Sequence, residues 1–379
     1  MANIAAIHWT DRTQHPGTPL TGAGFCAAGA ALLGLLLAVG TVAAATRTVP
    51  STDRVPDLTG TYDIATITPL ERPEQFGESL VLSPAIAAKM AADIAAYKQA
   101  DLEVSDPDRE APPKGGDGST GAAGNVGGYN TFWIDNGDAA FRIDGDYRTS
   151  ILTEPADGRR PAMTPAATAR AAARRAMFRD NKGDAWWVGE EGPGPYDDPE
   201  SRTLSDRCLL GFGSTGGPPM LPTLYNNMKR IVQTPDHVMI LVEMVHDARI
   251  IRLNSEHAPA SVRKWLGDSI GWWEGDTLVV DTTNFTDNPA LGLASRDLHV
   301  VERFRRIDDQ TLLYSFRVDD PNTWSAPWGG EYPWPATTDQ VYEYACHEGN
   351  YAMEGILRGA RLLEAEALSP SAAGRSGGR

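Results

Sequence analysis

From Arg230 onward, short apolar runs recur with tight turns between them, and this pattern most constrains the fold. Residues 231–233 and 238–245 flank a Pro-Asp turn, and residues 249–253 follow. Residues 269–273 and 277–285 flank Glu274-Gly275-Asp276, and residues 298–306 and 311–318 flank Asp308-Asp309. Strands joined by such turns pair antiparallel, whereas parallel pairing needs long crossovers, usually helical. No helical pattern lies between these runs. The sequence therefore predicts a mainly β (α+β) protein built on an antiparallel meander, with residues 340–346 as its last strand. A long meander removes its edges by closing or folding over, so a lipocalin-like barrel or a sandwich is expected.

Upstream, residues 59–70 read as a first strand. Ser83-Pro84 supplies an N-cap and a first-turn proline for a helix to residue 100, with Ile86, Met90 and Ile94 on one side. Residues 105–128 are rich in Gly, Pro and Asp and read as a loop. Residues 132–133, 139–143 and 148–152 are short strands, Thr164-Pro165 opens a second helix to about residue 178, and residues 188–200 are loop again. The expected organisation is an N-terminal export segment (1–45), a linker (46–57), one β-rich domain with two helical insertions (58–361) and a disordered tail (362–379).

The export segment rests on composition. Residues 21–45 carry no charge, residues 30–39 are almost entirely Ala, Leu and Val, and Ala43-Ala44-Ala45 suits signal peptidase. The stretch reads as a signal peptide, or as a membrane anchor, since about 20 apolar residues span a bilayer. Both place the rest outside the cytoplasm, periplasmic or secreted in the first case and anchored facing the periplasm in the second. Beyond this segment only Cys208 and Cys346 remain. In an oxidising compartment they are a candidate disulfide, with two buried thiols as the alternative. The net charge of −16 argues against nucleic acid and anionic lipid as partners, leaving the N-terminal segment as the expected membrane contact.

Two motif matches lack their structural context. Gly211-Phe-Gly213-Ser-Thr-Gly216 fits a dinucleotide fingerprint, but Pro218, Pro219 and Pro222 forbid the helix that would hold the pyrophosphate. Gly267-Asp-Ser269-Ile-Gly271 fits a nucleophile elbow, yet a hairpin follows it and not a helix, so Ser269 is expected to be exposed at the start of that hairpin.

Five histidines lie beyond the export segment: His237, His246, His257, His299 and His347. Imidazole titrates near neutrality, and a neighbouring carboxylate fixes its tautomer and raises its basicity. If residues 238–249 form one strand, Glu243, Asp247 and Arg249 share a face opposite His246. Glu302 shares a face with Leu298, Val300 and Phe304, and Glu343 shares one with His347. Carboxylates on apolar faces must be paired if they point inward. They form either an ion-pair network, such as Glu302 or Glu243 with Arg303 or Arg249, or a site. In a site, His347 and His246 carry protons with Glu243 and Glu302 as acid/base partners. Glu343 and Glu348 then orient substrate, and Arg249 or Arg303 holds an anionic group. Trp324, Trp328, Tyr332 and Trp334 lie among prolines, so Trp324 and Trp328 are candidates to cap a ligand, or else pack a loop onto the sheet. No His-x-His, H-E-x-x-H or paired-cysteine metal motif is present, and no cofactor is expected.

Several segments carry a resemblance: Arg207-Cys-Leu-Leu-Gly211-Phe, Glu243-Met-Val-His-Asp-Ala-Arg249, Trp265-Leu-Gly-Asp-Ser, Trp273-Glu-Gly-Asp-Thr-Leu-Val-Val-Asp281, and Tyr342-Glu-Tyr-Ala-Cys-His-Glu-Gly-Asn350. Over roughly residues 57 to 361 the chain resembles a family of exported bacterial proteins without an assigned function, which implies export but no catalytic residues. The Trp273–Val280 hairpin is also similar to hairpins of lipocalin-like barrels. The expectation is a cavity for a small, partly apolar organic molecule, used for cofactor-free lyase, isomerase or hydratase chemistry. A non-catalytic binding module and a metal-assisted hydrolase are the alternatives.

Overall fold

A computed structural model describes residues 55–101, 134–178 and 183–369. The export segment, most of the linker, the loop at 105–128, the strand expected at 132–133 and the last ten residues of the expected tail lie outside them. The protein is mainly β. A ten-stranded sheet curls into a half-barrel, a three-stranded sheet lies apart from it in the pairing pattern, and three α-helices complete the described fold.

Eight of the ten strands follow one another in chain order and lie beside their own neighbours. They run from β6 (Met228–Gln233) and β7 (His237–Val242) to β8 (Ala248–Leu253), β9 (Asp268–Glu274), β10 (Thr277–Thr283), β11 (His299–Asp308), β12 (Thr311–Asp319) and β13 (Trp328–Pro335). At its ends β1 (Gly60–Asp63) pairs with β6 and β5 (Leu152–Glu154) pairs with β13. All pairs are antiparallel except β8 with β9, which run parallel, Ile251 opposite Ser269. That exception was not expected. Residues 254–267 provide a crossover of the required length without a helix. The sheet nearly closes where Tyr62 of β1 bridges Ala336, just beyond β13.

The small sheet orders β2 (Val81–Leu82), β4 (Asp146–Arg148) and β3 (Arg142–Ile143). Helix α1 (Pro84–Asp101) begins at the expected proline, but it buries Ala87, with Met90 packed beside it, while Ile86 faces solvent. Helix α2 (Pro165–Met177) has the expected cap, Thr164 Oγ1 accepting from the Ala167 N–H at 3.1 Å.

Three expectations fail near the C-terminus. The last strand is β13, in the stretch read as an aromatic loop. Proline is tolerated there because β5 covers only Gly329 and Gly330, so β13 has an open edge at Pro333 and Pro335. Glycine is required at that covering, since a methyl on Gly330 would lie 2.3 Å from the Ile151 carbonyl oxygen. Residues 340–346 form no strand. A third helix, α3 (Tyr351–Ala367), runs through the expected domain end at 361, capped by Asn350 and docked by the Trp187 Nε1–H donating to Glu364 at 2.7 Å. Among the described residues, no helix is long and apolar enough to cross a membrane.

The Cys208–Cys346 disulfide is present, with its Cα atoms 5.5 Å apart. The concave face of the half-barrel is filled by side chains. Phe304, Tyr314, Tyr332 and Trp334 pack edge-on or tilted against one another and Trp328 packs edge-on against Phe316, with Leu278, Val280 and Val300 beside them. Alternation along β13 aims Trp328, Tyr332 and Trp334 inward, and all three are fully buried.

Candidate functional site

Three polar clusters emerge, and they differ in how completely they are satisfied. The first lies inside the half-barrel. Glu302, fully buried on β11, accepts two hydrogen bonds from the Arg249 guanidinium, at 3.0 Å and 2.6 Å, and one from the Tyr314 hydroxyl at 2.7 Å. Arg249 also donates to Ser269 Oγ, which shares a 2.9 Å bond with Thr282 Oγ1. The chain itself plugs the lumen above this network: the Met220 N–H donates to the Tyr314 oxygen, and its carbonyl accepts from the Tyr332 hydroxyl, both at 2.9 Å. Glu302 shares its face with Leu298, Val300 and Phe304, as alternation requires, and its partner is Arg249. Ser269, expected to be exposed, is buried in this network. Trp324 and Trp328 are buried core residues, their rings 5.4 Å apart and nearly perpendicular.

The second cluster lies on the outer face. His257 Nε2 is 2.8 Å and His299 Nε2 2.7 Å from the two oxygens of Asp281. His257 Nδ1 faces Asp268, which also accepts from Arg252, Lys264 and the Ala258 N–H. Burial works to raise both carboxyls, but these donors outweigh it and hold Asp268 and Asp281 below the ordinary carboxylate range. The hydrogen bond to Asp281 raises His299. This chain ties the 254–267 crossover to β10 and β11.

The third cluster is the corner between β7 and β8. The single strand expected over 238–249 is broken there. β7 ends at Val242 and Glu243–Asp247 turns the chain, with Val245 and His246 both in left-handed backbone, φ 60° and 45°. A β-branched residue in that region is an outlier, and strain of this kind costs on the order of 1–3 kcal/mol and concentrates at functional sites. Glu243 is buried and accepts from the Tyr342 N–H at 3.0 Å. Across the sheet from Val242 stands Lys229, fully buried, its Nζ without a hydrogen-bond partner. Burial pushes the Lys229 amine down to about 7, against the opposing charges of Glu243 and Asp63. Burial likewise pushes Asp247 up to about 6, against His246. Above the corner opens a cleft of about 340 Å³, lined by Arg230, Leu241, His246, Tyr342 and Glu343, among others.

The expected site residues therefore separate. His246 and Glu343 line the corner cleft and Glu243 is buried beside it under the Tyr342 N–H, whereas Glu302 and Arg249 are sealed in the core. Arg303 pairs with Glu274 on the outer face, at 2.8 Å. His347 and Glu348 are exposed in the turn before α3, and Glu343 and His347 share no strand face because no strand forms. Sequence reasoning missed Lys229, although alternation with Ile231 already aims it inward. It also left Asp247 without a role and Asp281 unnoticed. Among the described residues, no group of three or more His, Cys, Asp or Glu side chains is placed to hold a metal ion. A scan against protein-family models finds no match, and a search of curated proteins finds none.

Proposed function

We propose that the β7–β8 corner binds a small, partly apolar organic molecule and performs cofactor-free acid/base chemistry on it, in a protein that works outside the cytoplasm. The observation that carries this reading is the strained turn at Val245 and His246, beside which lie two groups displaced from their ordinary protonation, Asp247 next in the chain and Lys229 across the sheet from Val242. Lys229 near 7 is a base that is partly free at neutral pH, and Asp247 near 6 is an acid that keeps part of its protons there. His246 and Glu343 at the cleft supply polar contacts, and Leu241 and Val341 supply apolar ones. The disulfide suits an oxidising compartment.

Thermal unfolding of the full-length protein with a panel of small organic acids, alcohols, aldehydes and ketones tests the reading. At least one compound is expected to raise the midpoint for the wild type and for His237→Ala, at the far end of β7, but not for His246→Ala or Glu243→Gln. A stabilising compound whose effect survives both corner substitutions moves the site elsewhere.

A further inference from the structure

Lys229 poses a problem that the acid/base reading leaves open. A buried cation usually keeps its charge by pairing, as Arg249 does with Glu302. Lys229 has no such partner: Glu243 and Asp63 act on it by charge alone, and Nζ makes no hydrogen bond. The segment that meets its neighbour Glu243 is lightly held. Residues 338–345 form no helix or strand, and the hydrogen bond that holds this segment to the sheet runs from the Tyr342 N–H to Glu243. Tyr344 packs beside Val242, Met244 and Val245, and the far end is fixed by the Cys208–Cys346 bridge.

We propose that Lys229 is the covalent attachment point for a small carbonyl compound, an aldehyde or ketone, reached when the 338–345 segment lifts from Glu243. The proposal rests on the corner being the functional site. The neutral amine attacks the carbonyl carbon, and the C=O π pair moves to oxygen, which takes a proton. The nitrogen gives up its two protons in turn, the hydroxyl leaves as water after protonation, and a C=N bond forms. One water is released and nothing is oxidised or reduced. Glu243 relays the two protons from nitrogen to oxygen, the first to the oxyanion and the second to the departing hydroxyl. An uncharged amine is the form that reacts, and a site that does not stabilise the ammonium supplies it at neutral pH.

The test incubates the full-length protein at pH 7 with butanal or 2-butanone and cyanoborohydride, which reduces an imine to a stable amine, and maps the adducts by mass spectrometry. The chain has six lysines, so assignment is simple. Lys229 is expected to carry the adduct at least about tenfold more heavily than exposed Lys89 and Lys264, each of which is held in an ion pair. Cys346→Ser, or Tyr342→Pro where that variant does not fold, is expected to speed the modification severalfold by freeing the cover. Modification of Lys89 and Lys264 with Lys229 untouched, in the wild type and in the freed variant, overturns the proposal. If a compound still stabilises the wild type but not His246→Ala in that case, the corner remains a binding site and only the imine is lost. An adduct at Lys229 without any stabilising compound supports the imine and defeats the reversible-binding reading.

Discussion

The core network around Glu302 and the corner around Lys229 are both buried, charged and built on neighbouring strands, yet they are finished to different degrees. Glu302 receives three hydrogen bonds and meets its countercharge directly. Lys229 receives none, and its backbone surroundings are strained. A buried charge that meets its countercharge through direct hydrogen bonds is a complete structural unit and resists an incoming group, even though the Arg249 Nε is left without a partner. A buried charge without a partner persists at a cost, and function is a reason to keep it. This contrast is why the proposed site is placed at the corner and not in the lumen.

The largest effect should come from the bridge that anchors the corner's cover. The disulfide spans 138 residues, and its loss through Cys208→Ser should cost about 4–5 kcal/mol in denaturant unfolding, on the chain-entropy account. Next, Glu302→Ala leaves the Arg249 cation buried and unpaired and should cost about 3–5 kcal/mol. Lys229→Met should behave oppositely and raise stability at pH 7 by on the order of 1–4 kcal/mol. The sign follows from linkage. The Lys229 amine titrates lower folded than unfolded, so the unfolded chain holds more protons between about 7 and the ordinary lysine value. Wild-type stability should therefore gain on Lys229→Met as pH rises through that range. A Lys229→Met loss as large as that of Glu302→Ala would erase the contrast.

The smallest effect belongs to the outer chain. Asp281 lies below the ordinary carboxylate value, so its contribution is lost as pH falls through the folded value. His299 lies above the ordinary imidazole value, so its contribution is lost as pH rises through its folded value. The two overlap between roughly pH 4 and 6.5. Asp281→Asn should cost about 1 kcal/mol in that window and less above neutrality, read by thermal unfolding across pH.

Apart from the parallel β8–β9 pair, the run from β6 to β12 was legible because its strands alternate and its turns are marked. β13 was hidden by prolines that an open edge accommodates, and α3 lay under a sequence read as an ending. The disulfide followed from cysteine count and compartment. The site was half legible. Glu243, His246 and Glu343 were named from residue type, but the strand break that unites them depends on left-handed backbone at Val245 and His246, residues that do not advertise it. Arg249 with Glu302 was foreseen as one of several pairings, and tertiary geometry selected it. Lys229 was passed over because a lysine on a strand is ordinarily solvated, and it is its place between the buried Tyr62 and Val242 of the neighbouring strands that hides it.

The measurement that reaches furthest is the titration of the Lys229 amine itself. Lysine labelled with ¹³C at Cε, followed by NMR across pH with Lys229→Met for assignment, reads it directly. A midpoint near 7, apart from the exposed lysines, is the predicted result. A midpoint with the others, near the ordinary lysine value, would contradict the account.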